Sequence, residues 1–478
     1  MITNQAIDQD THAPEKNAVE TAHPLTLARA PAPTPGFVEQ HHGQRPRVLV
    51  VGAGFGGLST IKKLADTNVD VLLIDKNNYH GFWPLLYQVA TAGLEPEAIA
   101  YPVRGIVRNY PNINFIMAEV QGIDFDAKCV LTDSAPISYD YLVVAAGSAN
   151  NYFGNDALAE QTFGMKDIDE AERLRNHVLT MFEQAVRETD PERRAALLTF
   201  VLIGGGPTGV ELAGAFVELI RHVLLQDYPM LNAEHTRVIL VEAHDTLLAP
   251  FAPSLQKKAL QRLTSMGVEV RLNTALASVG NGTATFKDGS SIPAETVVWA
   301  AGVRGSHIVD DLNVELARGF RVKVTPTLNL ANHCEVFVIG DMAYLEGYKG
   351  GAYPMVAPVA VQMGKRAAAN ILAMVNGEQL KPFRYFDKGQ MATIGRKAAV
   401  LDAFGIRLSG FLAWIGWLFV HLVELIGFRN RLIVLTNWAY SYFTYDRSVR
   451  LITWTDRKRV DQPEQAAEAQ NVEVVPQR

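Results

Sequence analysis

A glycine-rich turn between an apolar strand pattern and a helical pattern occurs twice in this chain, and this repeat constrains the fold more than any other feature. The first copy reads RVLVVGAGFGGL from Arg47, and the second reads TFVLIGGGPTGVEL from Thr199. Their first glycines, Gly52 and Gly204, stand 152 residues apart. Each copy predicts a βαβ unit, and the alternation of strand and helix signals predicts parallel sheets.

Both turns have the spacing GxGxxG, which is typical of dinucleotide-binding sites. The first glycine permits a tight turn, the second lets the backbone approach a pyrophosphate, and the third allows close packing of helix and strand. A carboxylate at the end of the following strand can accept hydrogen bonds from ribose hydroxyls, and Asp75 and Glu242 occupy that place. Because Glu242 would repel a 2′-phosphate and no arginine follows closely, we expect NADH rather than NADPH in the second unit.

Two dinucleotide sites in one chain predict one bound flavin and one exchangeable nicotinamide. A later strand, EVFVIGD, ends at Asp341, which could hold the ribityl chain of FAD; a turn-forming aspartate is the alternative. The predicted fold class is therefore α/β, with two Rossmann-like dinucleotide-binding domains, for FAD and NADH, and a C-terminal amphipathic helical segment that anchors the chain to a membrane.

Composition excludes several classes of function. The 478 residues include only Cys129 and Cys334 as cysteines, far apart in sequence, which excludes a disulfide framework, a CxxC redox pair and a multi-cysteine metal site. We therefore expect no metal. The formal net charge of −6 gives no reason to expect nucleic-acid binding.

The C-terminal segment differs from the rest of the chain. Residues 396–459 carry a local charge of +6 and four of the six tryptophans. The uncharged runs at 408–423 and 432–445 are 16 and 14 residues long, whereas a membrane span needs ~20 apolar residues. This pattern favours two helices lying in the membrane interface. Core helices, a dimer interface and a spanning hairpin are the alternatives.

The motifs VVGAGFGGL, HGFWPLLYQVATAGL, GGGPTGVELAG, VIGD, VAPVAVQ and DKGQMATIGR together make the chain resemble the type II NADH dehydrogenases, from about Arg47 to Arg459. The resemblance implies non-covalent FAD, NADH as donor, and a quinone as acceptor. It implies hydride transfer to N5 of FAD, two-electron reduction of the quinone, and no proton pumping. It also implies peripheral attachment to the cytoplasmic face of a bacterial cell membrane, while a homodimeric state stays open.

The predicted site residues fall into three groups. Three candidates act in the reaction: Glu211, Gln362 and Lys388. The FAD site is predicted to comprise Gly52, Gly54, Phe55, Gly56, Gly57, Asp75, Lys76, Val120, Gly147, Gly340, Asp341 and Ala360. The NADH site is predicted to comprise Gly204, Gly206, Pro207, Thr208, Gly209, Glu211, Glu242 and Gly302.

Each of the three reaction candidates has an ordinary alternative. The resemblance gives Glu211 a role in nicotinamide–flavin alignment or proton handling, but a carboxylate near a helix N-terminus also stabilises the helix. Gln362 could be a helix-surface amide, and Lys388 a solvated loop lysine. The family's quinone motif often reads AQxAxQ, whereas this chain has Pro358 in place of the first glutamine. A hydrogen bond from that position to a quinone is therefore in question.

The predicted domain order is a disordered arm (1–45), an FAD-binding domain in two parts (46–160 and 305–395), an NADH-binding domain (161–304), a membrane-association segment (396–460) and a flexible tail (461–478). Two other functions remain open at this point. One is an FAD-dependent NAD(P)H reductase of a protein acceptor such as a ferredoxin. The other is a redox-sensing flavoprotein that acts as a binding module.

Overall fold

A computed structural model of the chain describes residues 45–232, 235–348, 350–444, 447 and 449–453. The arm predicted for 1–45, apart from Arg45, and the tail predicted for 461–478 lie outside these residues, as does Trp454. The α-helices are α1 (Phe55–Leu64), α2 (Leu86–Ala90), α3 (Pro96–Ile99), α4 (Val103–Val107), α5 (Ala157–Gln161), α6 (Ile168–Arg187), α7 (Pro191–Leu197), α8 (Pro207–Leu219), α9 (Leu225–Asp227), α10 (Pro253–Met266), α11 (Ala357–Val375), α12 (Phe411–Glu424) and α13 (Phe428–Thr444).

The first glycine motif belongs to a five-stranded parallel sheet. In spatial order its strands are Val336–Val338, Tyr141–Val144, Arg47–Val51, Asp70–Asp75 and Ile113–Met117. All five residues of the Arg47–Val51 strand are buried, as expected for a parallel strand covered on both faces. The strand at 336–338 joins this sheet long after the others in sequence, so the chain returns to its first domain.

The second glycine motif belongs to a four-stranded parallel sheet. Its strands are Glu269–Arg271, Arg237–Val241, Thr199–Ile203 and Thr296–Trp299 in spatial order. The Thr199–Ile203 strand is again buried along its whole length. Each sheet therefore places its GxGxxG turn at the carboxyl end of a central strand, which is where parallel α/β sheets bind ligands.

Smaller sheets complete the fold. Three-stranded sheets are formed by Val120–Asp124, Cys129–Thr132 and Ile137–Ser138; by Leu276–Gly280, Thr283–Phe286 and Ser291–Pro293; by Leu316–Ala317, Arg321–Lys323 and Ala343–Tyr344; and by Gln390–Thr393, Ala399–Ala403 and Ile406–Gly410. Strand pairs are formed by Tyr79–Gly81 with Ala100–Pro102, Ser148–Asn150 with Val303–Gly305, and Glu346–Tyr348 with Gly351–Ala352.

The C-terminal helices α12 and α13 pack on the body through a narrow stripe and leave apolar side chains exposed. Asn430 of α13 is buried, and its Nδ2 donates to the carbonyl oxygens of residues 97, 98 and 100 at 3.0–3.1 Å. The exposed apolar side chains include Phe411, Leu412, Ile415, Phe419, Val423, Phe428, Leu432, Leu435 and Phe443. Within the described residues, no helix combines the length and the apolar character that crossing a bilayer requires.

The predicted fold class is confirmed: the chain has two Rossmann-like units and a C-terminal pair of amphipathic helices. The domain boundaries at 160, 304 and 395 stay a prediction.

Candidate functional site

The first glycine turn is shaped to receive a pyrophosphate. Gly52 has φ +103°, and a Cβ there would come 2.4 Å from the carbonyl oxygen of Ala145. A Cβ on Gly57 would come 1.8 Å from the carbonyl oxygen of Gly52, so these two glycines are required by the protein itself. Gly54 is different, because no atom lies within 4 Å of its Cβ position. The backbone at Gly54 is therefore open to a ligand that approaches the N-terminus of α1.

The second glycine turn repeats this geometry. Gly204 has φ +112° and leaves no room for a Cβ beside Ala301, and a Cβ on Gly209 would come 1.8 Å from the carbonyl oxygen of Gly204. Gly206 faces open space at the N-terminus of α8. Pro207 occupies the first turn of that helix, and both Pro207 and Thr208 are exposed. Both turns thus fit a dinucleotide.

The carboxylate that follows each turn also braces it. Asp75 accepts hydrogen bonds from the backbone N–H of Ala53 at 2.6 Å and of Asn77 at 2.7 Å. Glu242 accepts from the backbone N–H of Gly205 at 2.5 Å and from His244 at 2.9 Å (N) and 2.6 Å (Nδ1). A carboxylate offers about four acceptor positions, so each can still accept from a ribose hydroxyl. The spacing alone did not indicate this bracing role.

The two carboxylates differ in pKa because their surroundings differ. Burial raises the pKa of Asp75, and the hydrogen bonds from Ala53 and Asn77 only partly oppose it. Burial also acts to raise the pKa of Glu242, but the hydrogen bonds from Gly205 and His244 outweigh it, so the pKa lies below its usual value.

Asp341 lies at the junction of the first sheet and the N-terminus of α11. Gly340 has φ +69°, and a Cβ there would lie 3.3 Å from the Cβ of Ala360. The Oγ of Ser148 donates to Oδ2 of Asp341 at 2.7 Å, and the Nζ of Lys166 donates to that Oγ at 3.3 Å. Sequence reasoning missed Ser148 and Lys166; the position of Ser148 directly after the predicted Gly147 was the available signal.

The other predicted FAD residues are spread around the first turn. The ring of Phe55 lies 5.2 Å from that of His80, and a Cβ on Gly56 would approach Ile339 at 3.1 Å. Lys76 is exposed, Val120 begins an outer strand, and Gly147 has φ +73° with open space at its Cβ position. Of the predicted NADH residues, Gly302 lies against the ring of Phe153, which a Cβ would meet at 2.8 Å.

Glu211 lies in α8, where the second unit meets the Gln390–Thr393 strand. Its Oε1 accepts a hydrogen bond from the backbone N–H of Thr393 at 3.2 Å. Burial raises the pKa of Glu211 to about 8, although that hydrogen bond and the nearby indole of Trp417 both act to lower it. The Nε1 of Trp417 is itself buried and has no partner of normal hydrogen-bond geometry among the described residues. A carboxyl that is neutral near pH 7 therefore sits between α8 and α12.

Residues 386–396 connect the predicted reaction residues. This segment, which we call the connecting segment, meets Gln362 at its start and Glu211 near its end. The side-chain amide of Gln362 makes two hydrogen bonds with the backbone of Phe386: Nε2 donates to its oxygen at 3.0 Å, and Oε1 accepts from its nitrogen at 2.9 Å. Beyond Thr393, the backbone N–H of Arg396 donates to Glu218, which lies about two helical turns after Glu211 on the same face of α8.

Lys388 lies on the connecting segment beside the end of α12, with its Nζ 3.7 Å from Oε1 of Glu424. Both side chains are about half exposed, so the ion pair itself adds little stability. Pro358, in place of the family's glutamine, occupies the first turn of α11, where a missing N–H leaves no helical hydrogen bond unmade. Its half-buried ring lies one turn before Gln362.

An aromatic cluster that sequence reasoning missed joins α12 and α13 to the body. The ring of Trp417 stacks on His421 at 4.0 Å and lies 5.8 Å from Trp438, whose Nε1 donates to Gln88 at 2.8 Å. The Nε2 of Gln88 in turn donates to the hydroxyl of Tyr87 at 2.8 Å. Tyr87 and Gln88 belong to the PLLYQVATAGL motif, so the signal was present in the resemblance without an assigned role.

Family models match nearly all of this region. Residues 46–364 match the model described as pyridine nucleotide-disulphide oxidoreductase, and residues 388–445 match the NDH2 C-terminal domain. The disulphide chemistry in the first description has no counterpart here, because Cys129 and Cys334 are both free.

Relatives with assigned functions cover most of the chain. The chain is 42% identical over 446 residues to the type II NADH:quinone oxidoreductase Ndh of Mycobacterium tuberculosis, covering 89% of this chain and 95% of the relative. It is 41% identical to NdhA of the same organism, covering 86% and 90%. Among solved structures, NDH2 from Plasmodium falciparum in complex with NADH superimposes with a TM-score of 0.77 at 18% identity, covering 85% of this chain and 99% of the other.

Proposed function

The chain belongs to the type II NADH:quinone oxidoreductase family, and from this premise we propose which of its residues carry the reaction. The overall activity is oxidation of NADH and reduction of a quinone, with FAD held at the first glycine turn and NADH at the second. The observation that carries the proposal is the connecting segment, because its hydrogen bonds tie Gln362 at one end to Glu211 at the other.

FAD, when bound, accepts the hydride of NADH and passes two electrons on to the quinone. The protein contributes position and charge. The open backbone at Gly54 and Gly206 receives the two pyrophosphates, and Asp75 and Glu242 accept from the ribose hydroxyls while they brace the turns. Asp341, held by Ser148, binds the ribityl chain, and the N-terminus of α11 at Ala360 lies beside it.

Glu211 holds a proton near the nicotinamide end of the site. With a pKa of about 8, it is mostly neutral at pH 7 and can release or accept a proton as its surroundings change. The alternative is a purely aligning role through Thr393. The two roles separate in a pH profile: proton handling requires an inflection near pH 8 that the Glu211→Gln variant lacks, whereas alignment through an amide would survive that substitution.

Gln362 and Lys388 form the proposed quinone end. Gln362 uses one N–H and one acceptor position on Phe386, which leaves its second N–H able to donate to a quinone carbonyl. Lys388 brings a positive charge to the end of α12, the first of the two apolar helices. A lipophilic quinone could reach these groups along that apolar surface.

We assign the exposed apolar side chains of α12 and α13 to a lipid surface. Contiguous exposed apolar surface of this kind marks a membrane or protein interface, and the aromatic residues suit the headgroup region. The enzyme would then act at the cytoplasmic face of a bacterial cell membrane. A dimer interface remains the alternative for the same surface.

Anaerobic addition of NADH to the purified protein tests both halves of the reaction. The absorbance of bound FAD should bleach, and a soluble quinone analogue should restore it. Bleaching that ferredoxin, but no quinone, reverses would favour a protein acceptor instead. The match of residues 388–445 to the NDH2 C-terminal domain supports the quinone, and neither it nor the apolar helices is needed by a reductase of soluble proteins or by a redox-sensing binding module.

A further inference from the structure

A basic cleft lies outside the proposed reaction site. It has a volume of about 450 Å³ and is formed by the end of α8, the π-helical segment Ile220–Leu224 that follows it, α10 and residues 396–398. Its lining contains four arginine and lysine side chains and a histidine: Arg221, Arg262, Arg396, Lys397 and His222. The positive charge is concentrated here although the whole chain has a net charge of −6.

The negative charge of the carboxylate that lines the cleft is already paired within the protein. Glu218 accepts a hydrogen bond from the backbone N–H of Arg396, and its Oε2 lies 3.5 Å from Nη2 of Arg447. Arg447 is buried, and burial lowers its pKa, partly offset by Glu218. The side chains of the cleft therefore keep a clear excess of positive charge.

The basic side chains are held in place by the fold. The Nη2 of Arg262 donates to the carbonyl oxygen of Arg396 at 3.1 Å, while its Nε is buried and makes no hydrogen bond within the described residues. Lys397 has φ +62°, a left-handed conformation that is unfavourable for a residue with a side chain. A buried donor without a partner and a strained basic residue at one cleft are more typical of a ligand site than of a solvated surface.

The cleft also adjoins the apolar helices. The guanidinium of Arg396 lies 4.5 Å, and the ammonium of Lys397 5.0 Å, from the ring centroid of Tyr442 in α13. Tyr442 stacks on Trp414 of α12 at 5.9 Å. A ligand held in the cleft would therefore lie next to the surface that we assign to lipid.

We propose that this cleft binds a phosphate-bearing anion. Arginine guanidinium groups can donate two parallel hydrogen bonds to phosphate oxygens. A cleft lined mainly by positive charges also concentrates anions. The volume falls in the range of ~300–1,000 Å³ that small-ligand sites occupy. The phosphate can come from the headgroup of an anionic phospholipid or from a soluble phosphate ester, and the site is independent of NADH oxidation.

The test uses the holoenzyme and two double variants of equal charge change. Arg221→Gln with Lys397→Gln removes two exposed charges of the cleft. It leaves Arg396 and also Arg262, which donates to the backbone oxygen of Arg396. Lys287→Gln with Arg318→Gln removes two exposed charges elsewhere and is the control. Unchanged FAD content and unchanged NADH oxidation with a soluble quinone analogue verify that both variants are folded.

Binding is measured to soluble glycerol phosphate by calorimetry, and to vesicles of phosphatidylcholine with or without phosphatidylglycerol by co-sedimentation. We expect the cleft variant to bind phosphatidylglycerol vesicles more weakly by about fivefold for each removed charge, and the control to bind like the parent. Weaker binding of glycerol phosphate with unchanged vesicle binding would support the cleft and identify a soluble ligand. Equal binding by the two variants in both assays would overturn the proposal.

Discussion

Replacing Glu211 with glutamine should change how the stability of the protein depends on pH. The folded protein raises the pKa of this carboxyl from 4.5 to about 8 through burial, whereas the unfolded chain leaves it near 4.5. Between these values the unfolded state ionises and the folded state stays protonated. The parent protein therefore loses stability as the pH rises from about 4.5 to about 8, and the loss levels off above.

The size of the effect follows from the same two values. Each unit of difference in pKa corresponds to about 1.36 kcal/mol, so the difference between 4.5 and about 8 corresponds to about 5 kcal/mol of stability. Because Glu211 as a whole residue is only partly buried although its carboxyl is enclosed, we expect about half of this, roughly 2 kcal/mol. Glutamine stays neutral at every pH and its Oε1 can still accept from Thr393, so the variant should not show the loss.

The assay is thermal unfolding of the holoenzyme in a series of buffers from pH 5 to pH 9. The melting temperature of Glu211→Gln minus that of the parent should increase with pH, by a few degrees in total. Glu160→Gln, at an exposed position, is the control and should shift the melting temperature equally at every pH. A constant difference between Glu211→Gln and the parent across this range would refute the assignment of a buried, neutral carboxyl.

Three further predictions test other parts of the site. Gly54→Ala should lower FAD retention, because its Cβ enters space left for the pyrophosphate, whereas Gly206→Ala should raise KM for NADH and leave FAD content unchanged; each is the control for the other, and equal effects on both ligands would contradict the assignment. Asn430→Ala leaves three carbonyls, the buried one of Ala98 among them, without their donor, so limited proteolysis should cut near the start of α13 faster, in line with a local loss of about 1–3 kcal/mol, while an unchanged cleavage rate would contradict the anchoring role. Lys388→Gln should raise KM for the quinone and leave the rate at which NADH reduces bound FAD unchanged in single-turnover absorbance measurements. Slower reduction of FAD would contradict the assignment of Lys388 to the quinone end.

The strands and glycine turns could be predicted from sequence because their physical causes are local. The apolar run that ends at Val51 is followed directly by the turn glycine, Gly52. The third glycine, Gly57, must lack a Cβ because one would clash with the carbonyl oxygen of Gly52. The repeat at Gly204 made the prediction stronger, because two independent copies of one pattern implied two sites of one kind.

The contacts of the connecting segment could not be predicted in the same way. Glu211 and Thr393 are 182 residues apart in sequence. Gln362 is bonded to Phe386, which lies 24 residues later in a loop without regular structure. Nothing in the pattern around Glu211 indicates that burial will keep it neutral, because its neighbours there, Thr393 and Trp417, lie far along the chain. The resemblance pointed to these residues, but their geometry depends on tertiary packing.

The hydrogen bonds of Glu242 limit how the coenzyme preference of this protein can evolve. Accepting a 2′-phosphate requires losing this carboxylate, yet the same carboxylate satisfies the backbone N–H of Gly205 and holds His244. A substitution that only removes the negative charge would leave the Gly205 donor without its partner and loosen the turn that we assign to the pyrophosphate. A successful switch to NADPH must therefore supply a new neutral acceptor for the turn together with a cation for the phosphate, so at least two changes have to arrive together.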